Sequence, residues 1–480
     1  MDKLKRLETG IAGLDALLKG GLVAGASYIV QGRPGSGKTI LANQLGFNHA
    51  RQGGRVLVVT LLSESHERLF QYLSTLSFFE PARIGNEIQF VSAFDTLENE
   101  GLDEVVKLLR REISRQKATV LIVDGLLNAR SKADSQIDTK KFISELQGHA
   151  AFAGCTVLFL TSARLDDGSP EHTMVDGVIE MGEELFGTRS VRRIQMRKTR
   201  GSGALSGLHE CEINDDGLVI HPRLEALFPH FISHDHYDPK RVSSGVPALD
   251  ELIGGGLPQA SATLLMGPSG VGKTTLGIHF LGAATPEAPA LHFGFYEGPE
   301  RLTAKAKALG VDFEALQQSG ALFVEWQPIT QGMMDGLGAR LLALVERHGI
   351  RRVLIDSLGG LTRTNGNPAR LGDYFSALVS ELRARGVTVV GTYELRGLFG
   401  PEVSSPLPDL SSIVDNVVVM RFVEHVSELK RCLTILKIRD SDYDASLREL
   451  VIGGQGVELK KAFTQAEAVL TGSASTTESR

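Results

Sequence analysis

The chain is short of cysteine, of tryptophan and of long apolar runs, and each shortage closes off a class of function. Its three cysteines, Cys155, Cys211 and Cys432, are widely spaced and odd in number. They form neither a disulfide framework nor a zinc-ligand set, and read as small buried residues in a reducing compartment. No apolar stretch approaches the roughly 18–20 residues of a membrane span. Met1-Asp2-Lys3-Leu4-Lys5-Arg6-Leu7-Glu8 holds no apolar core of a secretory leader, so a cytoplasmic protein is expected. Basic charge is not in excess either: 51 Lys and Arg face 57 Asp and Glu, a net charge of −6. That balance offers no basic patch for nucleic acid.

Glycine, by contrast, is abundant, and it is concentrated where it matters. Gly32-Arg33-Pro34-Gly35-Ser36-Gly37-Lys38-Thr39 and Gly267-Pro268-Ser269-Gly270-Val271-Gly272-Lys273-Thr274 both fit G-x-x-x-x-G-K-[ST]. In this phosphate-binding loop the backbone N–H groups close around phosphates, the lysine reaches the β and γ phosphates, and the threonine hydroxyl binds Mg²⁺. Each copy follows an apolar run and precedes a helical one. Two nucleotide sites are expected, with ATP and Mg²⁺ as their occupants.

The rest of the second half also repeats the first. Thr9-Gly10-Ile11-Ala12-Gly13-Leu14-Asp15 returns as Ser244-Gly245-Val246-Pro247-Ala248-Leu249-Asp250, and Val120-Leu121-Ile122-Val123-Asp124 as Arg352-Val353-Leu354-Ile355-Asp356. Met196-Arg197-Lys198-Thr199-Arg200 matches Leu436-Lys437-Ile438-Arg439, so a Lys-x-Arg stands near each repeat's end. The offsets stay close to about 235 residues, which means two whole domains rather than a solenoid. The expected domains are 1–232 and 233–465, followed by a small, polar, disordered tail at 466–480. Their junction is a Pro- and His-containing linker, whose histidines have no metal-ligand spacing.

Within each domain, β-rich runs alternate with helical stretches. Ala26–Gln31, Val56–Leu61, Val120–Asp124 and Thr156–Thr161 read as strands buried on both faces, with helices at Leu102–Arg115 and Thr139–Ala153 between them. The implied fold class is α/β, a mostly parallel, helix-covered sheet with its ligands at the carboxyl ends of the strands. Asp124 and Asp356 each end such a strand, as the acid that helps hold Mg²⁺ does. A strand-end Asp also commonly caps a helix, but a P-loop upstream in both halves favours the metal role.

Together these motifs resemble the KaiC family, the tandem RecA-like P-loop ATPases of the circadian clock and their bacterial relatives. The resemblance runs from about residue 7 to about 465. It implies homohexamers of two stacked rings with ATP between neighbouring subunits. It further implies hydrolysis in the first ring, Ser/Thr autophosphorylation in the second, and clock or signalling proteins as partners. By the same resemblance Lys198, Arg200, Lys437 and Arg439 would reach the phosphates of a neighbour's nucleotide, where such a finger is worth ~10³–10⁵ in rate. The family's paired glutamates fall at Ser63-Glu64 and Tyr296-Glu297, so the first of each pair is missing. Ser and Tyr hydroxyls are protonated at neutral pH and are not ready bases. Glu64 and Glu297 are the remaining candidates, and strict strand alternation would turn them away from the water. Ser411 and Ser412 match the family's phosphorylated Ser/Thr pair, although Ser-Ser before an apolar strand is ordinarily a turn or cap. In the first domain Glu171-His172-Thr173-Met174-Val175-Asp176 stands in register without that hydroxyl pair.

Three functions follow. The leading one is a hexameric ATPase and autokinase; another is a catalytically weak, ATP-bound platform, favoured by the lost glutamates; the third is a RecA-like DNA-dependent ATPase, opposed by the acidic balance.

Overall fold

The computed structural model describes residues 4–63, 65–126, 136–162, 169–186, 189–229, 240–328, 332–363, 367–395, 413–425, 428–439, 441–454 and 456–461. The two-residue strands Ala466–Glu467 and Ser475–Thr476, paired antiparallel, are described as well. Glu64, residues 230–239 within the linker expected near 225–243, and Ser411 and Ser412 lie outside the described residues. The chain divides into two compact units, Met1–Leu227 and Phe228–Arg480.

Each unit is built on a nine-stranded sheet with the same strand order. In the first, the strands run across the sheet as Ile88–Ser92, Val56–Thr60, Val120–Asp124, Thr156–Thr161, Ser27–Gln31, Gly177–Phe186, Arg189–Thr199, Leu208–Asn214 and Gly217–His221. The second sheet runs as Leu322–Trp326, Ala290–Gly294, Arg352–Asp356, Thr388–Glu394, Ala262–Gly267, Asn416–His425, Glu428–Ile438, Arg448–Gly453 and Gly456–Lys461. The first six strands of each are parallel and the last three fold back as an antiparallel meander.

The parallel strands carry continuous apolar runs because both faces are covered. Ser27–Gln31, Val56–Thr60 and Thr156–Thr161 are buried at every position. One face packs on Leu41, Leu45 and Phe47 of the helix Lys38–Arg51, and the other on Val106, Leu109 and Ile113 of the helix Leu102–Gln116. Fully burying one such side chain contributes about 1.5–3 kcal/mol, so the apolar faces fix which way each strand and helix sits. The expected strands and helices agree with these to within a few residues. Among the described residues no helix is long and apolar enough to cross a membrane.

The repeated Ser/Thr-Gly-x-x-x-Leu-Asp opening has a structural role. Asp15 accepts from Thr9 Oγ1 at 2.8 Å, from Thr9 N–H at 2.9 Å and from Gly10 N–H at 3.1 Å, closing the turn into a short helix. Asp250 repeats this with Ser244 N–H at 2.8 Å and Ser243 Oγ at 2.6 Å.

Candidate functional site

Each phosphate loop joins the carboxyl end of the sheet's central strand to a helix. Ser27–Gln31 leads to the helix Lys38–Arg51, and Ala262–Gly267 to the helix Lys273–Gly282. Gly37 and Gly272, the residues before each helix, sit at φ 100° and 113°. That left-handed backbone aims the first helical N–H groups into the loop, and a side chain there would be strained and would strike Ile213 or Ile452. Of the remaining predicted loop residues, Gly32, Gly35, Ser36, Gly270 and Val271 fall in these turns and Gly267 ends the strand before the second, with Ser36 and Val271 buried.

The loop curls around its own lysine. Lys38 Nζ donates to the carbonyls of Gly32 at 2.8 Å and Arg33 at 2.9 Å, and Lys273 Nζ to those of Gly267 and Pro268, both at 2.7 Å. Burial lowers the pKa of both ammonium groups, opposed at Lys38 by Asp124 and at Lys273 by Glu394 and Asp356. Both ammonium groups are placed to meet phosphate.

Thr39 and Asp124 come together: Thr39 Oγ1 donates to Asp124 Oδ2 at 3.1 Å. A hydroxyl and a carboxylate side by side form a hard oxygen donor set that fits Mg²⁺. In the second unit Asp356 accepts instead from Thr392 Oγ1 on the adjacent strand, with Thr274 in the first turn of the helix Lys273–Gly282. Register puts Leu160 of the first unit where Thr392 stands in the second, so the two acids are oriented differently.

Around Lys38, Thr39 and Asp124 lies a cleft of about 240 Å³, also lined by Thr60, Ser65, His66 and Ser162. His66 is a functional candidate that the sequence reading missed. The signal for it was a titratable residue two positions past Glu64, where the first glutamate of the pair is lacking. Glu394, which acts on Lys273 from the end of the strand Thr388–Glu394, was missed as well.

The strand-alternation condition on Glu297 is not met, because its strand ends at Gly294. Beyond it the chain bends, leaving Tyr296 51% exposed. Glu297 Oε1 accepts from Lys305 Nζ at 3.0 Å, and its Oε2 is buried without a partner.

The basic pairs lie elsewhere. Lys198 is opposite Val178, Arg200 follows the last pair Thr199↔Gly177, and Gly177 is level with Tyr28 at the amino end of the P-loop strand. Lys198 Nζ donates to the carbonyls of His172 at 2.6 Å and Thr173 at 3.2 Å, and Arg200 to Thr173 at 3.1 Å. In the second unit Lys437 Nζ donates to Val414 O at 2.9 Å, and Arg439 meets Asp415 Oδ1 at 3.2 Å. Arg200 and Arg439 thus sit at the sheet end opposite their own P-loops, roughly 13–17 Å away along the strand at ~3.3 Å per residue. The structure does not bring them to the nucleotide site of their own unit.

The family model for the KaiC ATPase matches residues 7–225 and 242–463. The chain belongs to the KaiC family. Circadian clock oscillator proteins KaiC from Acaryochloris marina and Thermostichus vulcanus are each 26% identical over 98% of this chain, covering 91% and 92% of their own lengths. That of Picosynechococcus is 27% identical over 98% of this chain and 92% of its own. The KaiC match spans both units, and its tandem P-loop sheets are those of a KaiC-like ATPase.

Proposed function

We propose that this chain is a Mg²⁺-dependent ATPase that works as a ring of six identical subunits in a cytoplasmic signalling system. It hydrolyses ATP in the first domain and phosphorylates itself at Ser411 or Ser412 from the second. The observation that carries the reading is the separation of each Lys-x-Arg from its own P-loop. Cations held at the far end of the sheet serve phosphate chemistry only if another subunit's nucleotide is set against them. The cleft points the same way: its volume of about 240 Å³ is below the roughly 300–1,000 Å³ of a whole small-ligand site. It suits the triphosphate and leaves base and ribose to be covered from outside.

In the first domain the P-loop N–H groups and Lys38 would hold the β and γ phosphates, and Thr39 and Asp124 would hold Mg²⁺. Thr274 and Asp356 would do so in the second. The chemistry the metal would supply there is positive charge that offsets the charge of the phosphates. A water oxygen then bonds to Pγ as the bond to the bridging oxygen breaks, and Lys198 and Arg200 of a neighbour offset the charge spread over the transferring group. In the second domain a serine Oγ replaces the water, and its proton goes to Glu297.

The platform reading draws support from the second site, where Lys305 holds Glu297 and Tyr296 stands in place of the family's first glutamate. The two are separated by incubating the protein with γ-labelled ATP and Mg²⁺ beside the Ser411→Ala/Ser412→Ala variant. Released phosphate and protein-bound label are followed, and size is read by light scattering. Turnover, six-fold mass and label lost in the variant support the ATPase–autokinase. ATP bound with neither turnover nor label establishes the platform.

A further inference from the structure

We infer that His66 is the general base of the first domain, orienting the attacking water and accepting its proton in place of the missing glutamate. The inference rests on the proposed hydrolysis of ATP and names the base within it.

Its position follows from local structure. The strand Val56–Thr60 stops at Thr60, the chain turns back, and the helix His66–Leu73 starts directly after Ser65, which is in extended conformation. The first helical side chain therefore returns over the strand end. His66 Nε2 lies 3.1 Å from Thr60 Oγ1, and the ring is held edge-on to Phe90 at 5.6 Å and stacked on Phe70 at 6.2 Å. Two aromatic faces and one hydrogen bond leave the imidazole little freedom. It lines the same cleft as Lys38, Thr39 and Asp124.

Among the described residues, the charged groups facing it across that cleft are Lys38 and Asp124. The other neighbours, Thr60, Ser65, Ser162, Leu62, Leu69, Phe70 and Phe90, are neutral. Burial lowers the imidazole pKa from its ordinary value of 6.5, so the ring is neutral at pH 7 and able to take a proton. In the tautomer whose Nε2–H donates to Thr60 Oγ1, the lone pair is on Nδ1. As the water oxygen bonds to Pγ, the Pγ–O bond breaks with its electron pair going to ADP. The water proton passes to Nδ1 and then to solvent. At the matching position the second domain carries proline, the first residue of the helix Pro299–Ala308.

The test uses the full-length chain and reads phosphate release against pH beside ATP affinity by equilibrium dialysis. Lys38→Ala defines the turnover that remains without the first domain. His66→Ala is expected to lower the first-domain rate by about 10²-fold or more, within the ~10²–10⁴ of a positioned base, with ATP affinity unchanged. His66→Gln, which can orient water but not take its proton, is expected to be intermediate and to lose the acidic limb of the pH profile. In the wild type that limb should have an apparent pKa below 6.5. A merely structural histidine would move ATP affinity or melting temperature and leave the limb in place. Turnover and limb preserved in both variants would overturn the inference alone, as would their loss in Glu64→Gln but not in His66→Ala. Wild-type turnover no higher than that of Lys38→Ala, with ATP bound, would overturn the underlying hydrolysis reading too.

Discussion

Thr39 Oγ1 donates to Asp124 Oδ2 across 3.1 Å, tying the first turn of the P-loop helix to the end of a strand two places along the sheet. In the second domain the matching carboxylate, Asp356, is tied instead to Thr392 on the adjacent strand. One of the two proposed metal-binding acids is thus held by the helix that follows the P-loop, and the other by the sheet.

That difference predicts different couplings. In nucleotide-free protein, Thr39→Val and Asp124→Asn should destabilise less together than the sum of their separate effects, by about 1 kcal/mol, because they break one bond between them. Asp356→Asn should couple in the same way to Thr392→Val and not to Thr274→Val. Urea unfolding of the single and double variants checks this. Equal coupling of Asp356 to Thr274 would show that the two sites share one arrangement.

The far-end placement of Lys198 and Arg200 predicts complementation between subunits. Lys38→Ala alone should lose first-domain ATP binding, and Arg200→Ala alone should keep binding but lose turnover by about 10³-fold, as for a finger acting in trans. Mixed, some interfaces would pair an intact P-loop with an intact arginine. Phosphate release above the sum of the two pure variants is the expected result. Strict additivity across all mixing ratios would place the arginine's action within its own subunit.

Much of this was legible in the sequence. The P-loops and their flanking elements could be read because strands buried on both faces carry unbroken apolar runs, and because helix starts at Gly37 and Gly272 need glycine's left-handed backbone. The antiparallel meander was not expected: Arg189–Thr199 and Glu428–Ile438 mix buried apolar positions with many charges, which blurs their period of two. The Lys-x-Arg pairs were visible as motifs, but only strand register showed which end of the sheet they occupy. His66 was hidden for a different reason. Its place depends on Phe90, a contact from a separate strand that no local pattern encodes.

His292 predicts a pH dependence of stability. It lies on the strand Ala290–Gly294 where register puts Val58 in the first domain. It is 2% exposed, neither ring nitrogen has a hydrogen-bond partner, and its ring crowds Gly294. Burial pushes its pKa down to about 4, against partial support for the cation from Asp356 and Glu297. Unfolding restores a value near 6.5, so between about pH 6.5 and 4 the unfolded chain binds the extra proton. Stability should therefore fall as pH drops through that window. His292→Val should flatten the fall and raise the melting temperature at neutral pH, by removing two unpaired buried nitrogens. Thermal melts from pH 4 to 8 read both, and an unchanged slope in the variant would assign the acid sensitivity to other groups.

Lys305 holds the proposed kinase base. Lys305 Nζ contacts Glu297 Oε1 at 3.0 Å, both side chains 36% exposed, so the pair itself adds little to stability. Its effect on proton transfer is larger, because the ammonium group engages Oε1, an oxygen that would otherwise be open to the serine proton. Lys305→Met should therefore speed self-labelling from γ-labelled ATP several-fold, with ATP affinity and melting temperature nearly unchanged. Glu297→Gln should abolish labelling, and the double variant should behave like Glu297→Gln because the lysine acts only through the glutamate. Labelling that is slower in Lys305→Met would mean the lysine serves the phosphate directly rather than restraining the base.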